Sequence, residues 1–331
     1  MKKILILSAI MWVLAFLIPL LLIKPAENDV PTLPLPPADE QTEKAMTDSG
    51  ITIKLLDGDK ISEIALDEYL EGVVAAEMPA LFPEEALKAQ AVAARTYTMK
   101  KASSAPAKEH NGAAVCTNPS HCKAYKPLAE FSAAWSENAE SYSEKIKRAV
   151  SETDGEILLY GGEPITAVFH STSSGKTESS ADVWGGNLPY LVSVESEGEE
   201  SSPHFEEEKS FSPEEFREQF AKKYPNAVFD ENPENWITNI RRSPAGGVKS
   251  ITIGGVAVKG SEVRSIYELK STNFTIAFDG ENVKIRTRGY GHGVGMSQYG
   301  ARAMAQSGKT YDEILKKYYT GVTLGKVRQK K

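Results

Sequence analysis

The chain has 331 residues, of which 41% are hydrophobic and 25% are charged, so it can bury one large core or two modest ones. This composition excludes a wholly disordered chain. The formal net charge of -7 argues against nucleic acid as the main ligand, because phosphate binding needs a basic surface.

The first 24 residues have the pattern of a membrane-spanning helix. Lys2 and Lys3 precede an almost uninterrupted apolar run at positions 4–23, and Lys24 follows it. About twenty apolar residues are enough to cross a hydrocarbon layer of ~30 Å as a helix. We expect a signal anchor over residues 1–24, with its amino terminus in the cytoplasm and the remaining chain outside. A cleaved signal peptide is the alternative.

The rest of the chain divides into a tether and a folded part. Residues 25–50 are rich in Pro, Asp, Glu and Thr, which predicts an extended, semi-rigid tether. Folded structure resumes at Ile51. We expect an α+β domain over residues 51–325, with a helical lobe at about 60–150 and a β-rich remainder at 151–325.

Glu77 is the leading catalytic candidate because it shares the apolar face of a predicted helix. On a helix over about 67–78, Leu70, Val73, Val74 and Glu77 are spaced at i, i+3, i+4 and i+7. A carboxylate moved out of water without partners is costly and tends to stay protonated. A protonated carboxyl is what a general acid needs near neutral pH.

The alternative for Glu77 is a position in the last helical turn before Pro79, exposed to solvent or paired with Arg95. A second helix is predicted from Pro83 to about residue 101. Its alanine-rich body allows close approach, so Arg95 and Tyr97 could reach the helix of Glu77.

Two further helices are predicted from capping signals. Ser212 is followed by Pro213 and then by acidic residues, which is typical of a helix start. Thr310 and Glu313 have the spacing of a capping box.

His110, Cys116, His121 and Cys122 fall within thirteen residues and offer a ligand set that suits tetrahedral zinc. A disulfide between Cys116 and Cys122 is the alternative, since the segment is predicted to lie outside the cytoplasm. The residues leave both interpretations open. A zinc ion with four protein ligands has no position for water, so its role would be structural.

Two polar, glycine-rich segments, at 169–186 and 289–304, are suited to close approach of the backbone to a ligand. The aromatic faces of Trp184, Tyr290 and Tyr299 can pack on sugar rings. A phosphate cradle is the alternative for the second segment, although it lacks the Lys-Ser/Thr of a P-loop.

In this order, the anchor, VVAAEMP, ALKAQAVAARTY, the His/Cys cluster, FHSTSSG and GYGHGVGMSQYGA resemble the SpoIID family. The resemblance extends from about Ile51 to the end of the chain. It implies a lytic transglycosylase of peptidoglycan, which cleaves the bond between N-acetylmuramic acid and N-acetylglucosamine without water and favours strands that have lost their stem peptides. The family's catalytic glutamate matches Glu77. Its zinc ligands match His110, Cys116, His121 and Cys122.

The implied reaction is compatible with a single carboxyl group. Most glycosidases use two carboxylates, but here the C6 hydroxyl of muramic acid would attack within the substrate. We expect protonated Glu77 to donate to the leaving oxygen and then to accept the C6 hydroxyl proton. The expected substrate contacts are Arg95, Tyr97, Ser171, Ser173, His292, Gln298 and Tyr299.

The resemblance also implies a place and partners. These are the mother-cell membrane facing the septal wall, the amidase SpoIIP and the membrane protein SpoIIM, during engulfment of the forespore. Two other functions stay open: a zinc-dependent cell-wall hydrolase whose open metal site is completed by His170 or His292, and a non-enzymatic wall-binding scaffold that uses Trp184.

Overall fold

Helices and strands both contribute to the computed structural model, which describes residues 46–119 and 121–328 and confirms the predicted α+β class. Helices α1 to α9 span Leu66–Glu77, Glu84–Ala102, Ser132–Trp135, Ala139–Glu152, Ser180–Trp184, Pro213–Ala221, Gly260–Ile266, Gln298–Gln306 and Tyr311–Tyr318. Strands β1 to β14 span Thr52–Asp57, Lys60–Ala65, Val115–Cys116, Glu156–Tyr160, Glu163–Pro164, Phe169–His170, Glu206–Phe211, Ile237–Arg242, Val248–Ile253, Val256–Lys259, Phe274–Phe278, Val283–Arg288, Met296–Ser297 and Thr323–Lys326.

The predicted signal anchor, and the predicted tether as far as residue 45, lie outside the described residues. None of the helices within 46–119 and 121–328 has the length and apolar character needed to cross a membrane. The last residues assigned to the tether belong to the fold. The Met46 N–H donates to the Val327 carbonyl at 3.1 Å, and Asp48 is buried in an ion pair with Arg95.

The strands form small sheets, in the orders β2-β1-β3, β14-β4-β5, β13-β6, β11-β12-β7 and β10-β9-β8. The pair β6 and β13 matters most for function. It is parallel, with Phe169 opposite Met296 and His170 opposite Ser297. This pairing places the two glycine-rich segments side by side, so that Ser297 Oγ lies 3.4 Å from the carbonyl of Ser171, a residue 126 positions earlier in the chain.

Buried apolar side chains form two clusters. The first combines residues of 51–191 with residues of 294–327 and surrounds α2. The second lies within 216–285 and includes the stacked rings of Phe216 and Tyr267. The chain therefore leaves the first cluster, builds the second one and returns to complete the first.

Helix α2 lies at the centre of the first cluster. It packs against α1, α4, α8, α9 and β4, and alanines at 86, 89, 91, 93 and 94 are fully buried. Because it is covered on nearly all sides, it has little of the one-sided apolar pattern that marks a surface helix. Its small side chains let neighbouring backbones approach closely.

Candidate active site

Glu77 is the last residue of α1 and lies at the end of its buried stripe. Leu70, Val73 and Val74 have no exposed surface, whereas Glu77 is half-buried. The next residue, Met78, is extended because it precedes a proline, and this ends the helix. Glu77 Oε1 accepts a hydrogen bond of 2.9 Å from the N–H of Ala124. The carboxyl group is thus partly sheltered and held by the backbone of a distant loop.

Lys123 is a buried cation beside Glu77 that the sequence pattern did not reveal. Only 7% of its surface is exposed, and its Nζ lies 3.6 Å from the ring centroid of Phe169 and 4.5 Å from that of Tyr97. Burial lowers the pKa of Lys123 to about 8, while the Glu77 carboxylate opposes this shift. Lysines are rarely buried, and no local pattern predicts which one will be.

Two histidines continue the site beyond Phe169. His170 donates from Nδ1 to the Val294 carbonyl at 3.2 Å, and His292 Nδ1 accepts from the Val294 N–H at 3.1 Å. Burial lowers the pKa of His170 to about 4 and holds the pKa of His292 well below its usual value. Both rings are therefore neutral at pH 7. Their centroids are 5.6 Å apart, and the half-exposed ring of Trp184 lies 5.3 Å from His292.

We call Glu77, Lys123, Phe169, His292 and Trp184 the candidate site. Electrostatic coupling joins Glu77 to Lys123, whose ammonium group lies over the Phe169 ring. The His292 ring contacts the ring of Trp184 and that of His170, the residue that follows Phe169 in the chain. The site combines one carboxyl group, one cation and exposed aromatic surface, which are groups that can bind and cleave a sugar chain.

The hydroxyls of the glycine-rich segments are used mainly within the protein. Ser173 donates to Glu199 from both its N–H and its Oγ, at 3.1 and 2.9 Å, and Ser297 Oγ donates to the same carboxylate at 2.9 Å. Ser171 is half-buried, and its carbonyl accepts from the Tyr299 N–H at 3.1 Å. Ser173 thus fixes the shape of its loop, while Ser171 keeps exposed surface.

Glu199 was missed because it lies in an acidic run that resembles a solvated loop. It has no exposed surface, and burial raises the pKa of its carboxyl group although Ser173, Ser196 and Ser297 donate to it. A buried glutamate with this many donors ties together segments that are distant in the chain. Its neighbour Glu200 is exposed, so nothing in the local composition distinguishes the two residues.

Arg95 lies in the interior and not at the candidate site. It has no exposed surface, and its guanidinium binds Asp48 with the shortest N–O distance at 2.6 Å. Other donors of the same group reach the carbonyls of Val150 and Glu156. This arrangement is a structural ion pair. Arg95 therefore pairs with Asp48 and not with Glu77. Because it has no exposed atom, it cannot make the substrate contact that the sequence predicted.

The other expected substrate contacts lie around the site to different degrees. The Tyr97 hydroxyl donates to the His121 carbonyl at 3.3 Å, while its ring contacts Lys123. Gln298 is 5% exposed and its Nε2 lies 3.4 Å from Gln90 Oε1. Tyr299 is half-buried, with its ring 5.1 Å from that of Phe82. Of these three, the structure brings only Tyr97 into contact with a member of the candidate site.

The His/Cys cluster could hold a metal ion. One ligand atom from each of His110, Cys116 and His121 lies within 4.8 Å of the others, and Cys122 Sγ is 3.5 Å from His110 Nε2. Both cysteines are free. His110 Nδ1 is buried and has no hydrogen-bond partner within the described part of the chain. Two imidazoles and two thiols with an unpaired buried nitrogen fit the ligand chemistry of tetrahedral zinc.

The cluster is continuous with the candidate site through the chain itself. Cys122 is followed by Lys123, which contacts Tyr97, and by Ala124, which donates to Glu77. His170 and His292 belong to the glycine-rich segments and are not part of the cluster found among the described residues. An ion bound by the cluster would therefore fix the loop that contacts the carboxyl group.

These features define an α+β protein with one partly sheltered carboxyl group beside a buried lysine and two paired glycine-rich loops. The SpoIID family model, described as a stage II sporulation protein, matches residues 57–160. The chain is 36% identical to stage II sporulation protein D of Bacillus subtilis, over 98% of this chain and 96% of that protein. It is 37% identical to the Bacillus amyloliquefaciens protein of the same name, over 80% of this chain and 75% of that one.

A third relative is the amidase enhancer of Bacillus subtilis, which is 30% identical over 77% of this chain and 40% of that protein. The match to nearly the full length of a stage II sporulation protein D is the finding that decides the family. The chain belongs to the SpoIID family of stage II sporulation proteins.

Proposed function

We propose that the protein is a membrane-anchored lytic transglycosylase that cleaves bonds between N-acetylmuramic acid and N-acetylglucosamine in peptide-free peptidoglycan strands. Membership of a sporulation family supports a role in spore formation. The relative named amidase enhancer supports a connection with cell-wall degradation. We place this activity at the mother-cell membrane during engulfment, with the amidase SpoIIP and the membrane protein SpoIIM as partners.

The observation that carries the proposal is the placement of Glu77. It is half-buried at the end of an apolar helix face, and the N–H of Ala124 fixes one of its oxygens at 2.9 Å. A carboxyl group with restricted access to water and a fixed orientation is suited to general acid catalysis.

The reaction proceeds in two proton transfers. Glu77 donates its proton to the glycosidic oxygen as the bond from this oxygen to C1 of muramic acid breaks, and the N-acetylglucosamine unit leaves with a new hydroxyl group. The Glu77 carboxylate then accepts the proton of the C6 hydroxyl while the C6 oxygen bonds to C1. The product is a 1,6-anhydro sugar, and no water is consumed.

The candidate metal ligands contribute to catalysis by fixing the loop that contacts Glu77. His110, Cys116, His121 and Cys122 would hold a zinc ion whose coordination is completed by protein, so the ion supplies structure and not a reactive water. Ala124 lies two residues after Cys122, and its N–H binds the Glu77 carboxyl group. By holding this loop, the four ligands would keep the carboxyl group in its orientation.

The test compares two glutamates of α1 in the full-length protein. Glu77→Gln preserves the shape of the side chain but cannot donate a proton, so we expect loss of glycan cleavage with an unchanged melting temperature. Glu68 is exposed on the same helix, and Glu68→Gln is expected to keep full activity. Cleavage of peptide-free glycan is measured by chromatography of the released fragments. Unchanged rates in Glu77→Gln would remove the proposed role.

A further inference from the structure

Lys123 is buried without an anion at contact distance. It is 7% exposed and lies between the rings of Phe169 and Tyr97. Within the described residues its ammonium group forms neither an ion pair nor a hydrogen bond, and it lies over both ring faces. Removing a cation from water costs free energy, which the two ring faces offset in part and an opposite charge would offset further.

The charges around Lys123 favour an additional anion. Glu77 is the carboxylate that acts on it through space, and Lys101 adds a second positive charge near the ring of Tyr97, at 5.7 Å from its centroid. When Glu77 carries a proton, as a general acid must, its negative charge is gone. The two lysines then create a positive potential beside the carboxyl group that is ready to react.

We propose that Lys123 binds a carboxylate of the substrate, and that this carboxylate is the lactyl group of N-acetylmuramic acid. The inference rests on the proposed function, since a peptidoglycan strand bound for cleavage at Glu77 brings a lactyl group into the candidate site. Removal of the stem peptide frees the lactyl carboxylate, whereas an attached peptide converts it into a neutral amide. Lys123 is therefore a specificity-determining residue that selects strands without peptides.

The selection also suits the reaction. The substrate carboxylate replaces the negative charge that Glu77 loses on protonation, so the lysine gains an ion-pair partner while Glu77 carries its proton. An amide in the same position has no charge to offer, and the lysine would remain unpaired. Charge-assisted hydrogen bonds are about twice as strong as neutral ones, which gives the free acid an advantage over the amide.

The test measures binding in a protein that cannot cleave. Full-length Glu77→Gln protein is titrated by calorimetry with a peptide-free oligosaccharide that has free lactyl carboxylates, and with the same oligosaccharide after conversion of these groups to methylamides. We expect tighter binding of the free acid by about tenfold or more. Adding Lys123→Met is expected to abolish this preference and to leave the affinity for the methylamide nearly unchanged.

Lys126→Met in the same background is the matched control, because Lys126 is exposed three residues further along the same loop. It should keep the full preference for the free acid. If Lys123→Met loses its cooperative thermal transition, the polar Lys123→Gln takes its place. Equal affinities for acid and methylamide in the Glu77→Gln protein, or a preference that survives the loss of Lys123, would overturn the inference.

The inference and the proposed function fail in different ways. Cleavage by the unsubstituted protein together with equal binding of acid and methylamide refutes the role of Lys123 alone. If the unsubstituted protein cleaves no glycan but binding still prefers the free acid in a way that depends on Lys123, the proposed reaction is refuted and the carboxylate-binding site is retained.

Discussion

Replacing Glu199 by alanine should loosen both glycine-rich segments. The carboxylate accepts four hydrogen bonds: two from Ser173, one from Ser297 and one from Ser196. The hydroxyl donors can rotate to other partners, at a loss of about 1 kcal/mol each. The Ser173 N–H cannot, and an unpaired buried donor costs about 1–3 kcal/mol. Because the variant no longer buries a carboxylate, we expect a net loss of about 3 kcal/mol.

The assay is thermal unfolding followed by circular dichroism. A loss of about 3 kcal/mol corresponds to a fall in melting temperature of roughly 6 °C for a domain of this size. Glu200→Ala is the control, since Glu200 is exposed beside Glu199 and its loss should change stability by about 0.5 kcal/mol or less. Equal melting temperatures for the two variants would refute the assignment of Glu199 as the residue that joins the loops.

Three other perturbations have defined outcomes. Asp48→Ala leaves Arg95 buried without its partner and should lower the free energy of unfolding, measured in urea, by about 3–5 kcal/mol. Asp59 is exposed, so Asp59→Ala should change this free energy little, and equal losses in the two variants would contradict the buried ion pair. Burial lowers the pKa of His170 to about 4 in the folded protein, against 6.5 in the unfolded chain. The free energy of unfolding should therefore be highest above pH 6.5 and fall by up to about 3 kcal/mol towards pH 4. The same fall in a His170→Asn variant would show that His170 does not cause it. Chelation should lower the melting temperature of the wild-type protein, and Cys116→Ser should lose bound zinc in atomic absorption; an unchanged metal content would exclude the cluster as the site.

Local signals in the sequence predicted the helices that carry or support the site. The apolar spacing in α1 and the proline after it place Glu77 at the end of a buried stripe, as the structure shows. The predicted helix start at Ser212 is confirmed by a capping box with Glu215, and Thr310 forms another with Glu313. These features depend on residues within one or two helical turns, which is why a single sequence reveals them.

The residues that the sequence did not reveal depend on contacts between distant segments. Lys123 is buried because Phe169 and Tyr97 enclose it, and Glu199 because serines from two other segments donate to it. Arg95 was expected near substrate because its helix neighbours α1. Its partner is Asp48, in a segment whose composition resembled a tether. Such pairings follow from the assembled fold and have no periodicity to detect.

The central claim is that a single carboxyl group, that of Glu77, cleaves glycan without water. Mass spectrometry of peptide-free glycan digested by the full-length protein in heavy-oxygen water tests it most directly. We predict fragments that end in the 1,6-anhydro sugar, each one water lighter than a hydrolysis product and free of heavy oxygen. Fragments that are one water heavier and carry the label would contradict the account.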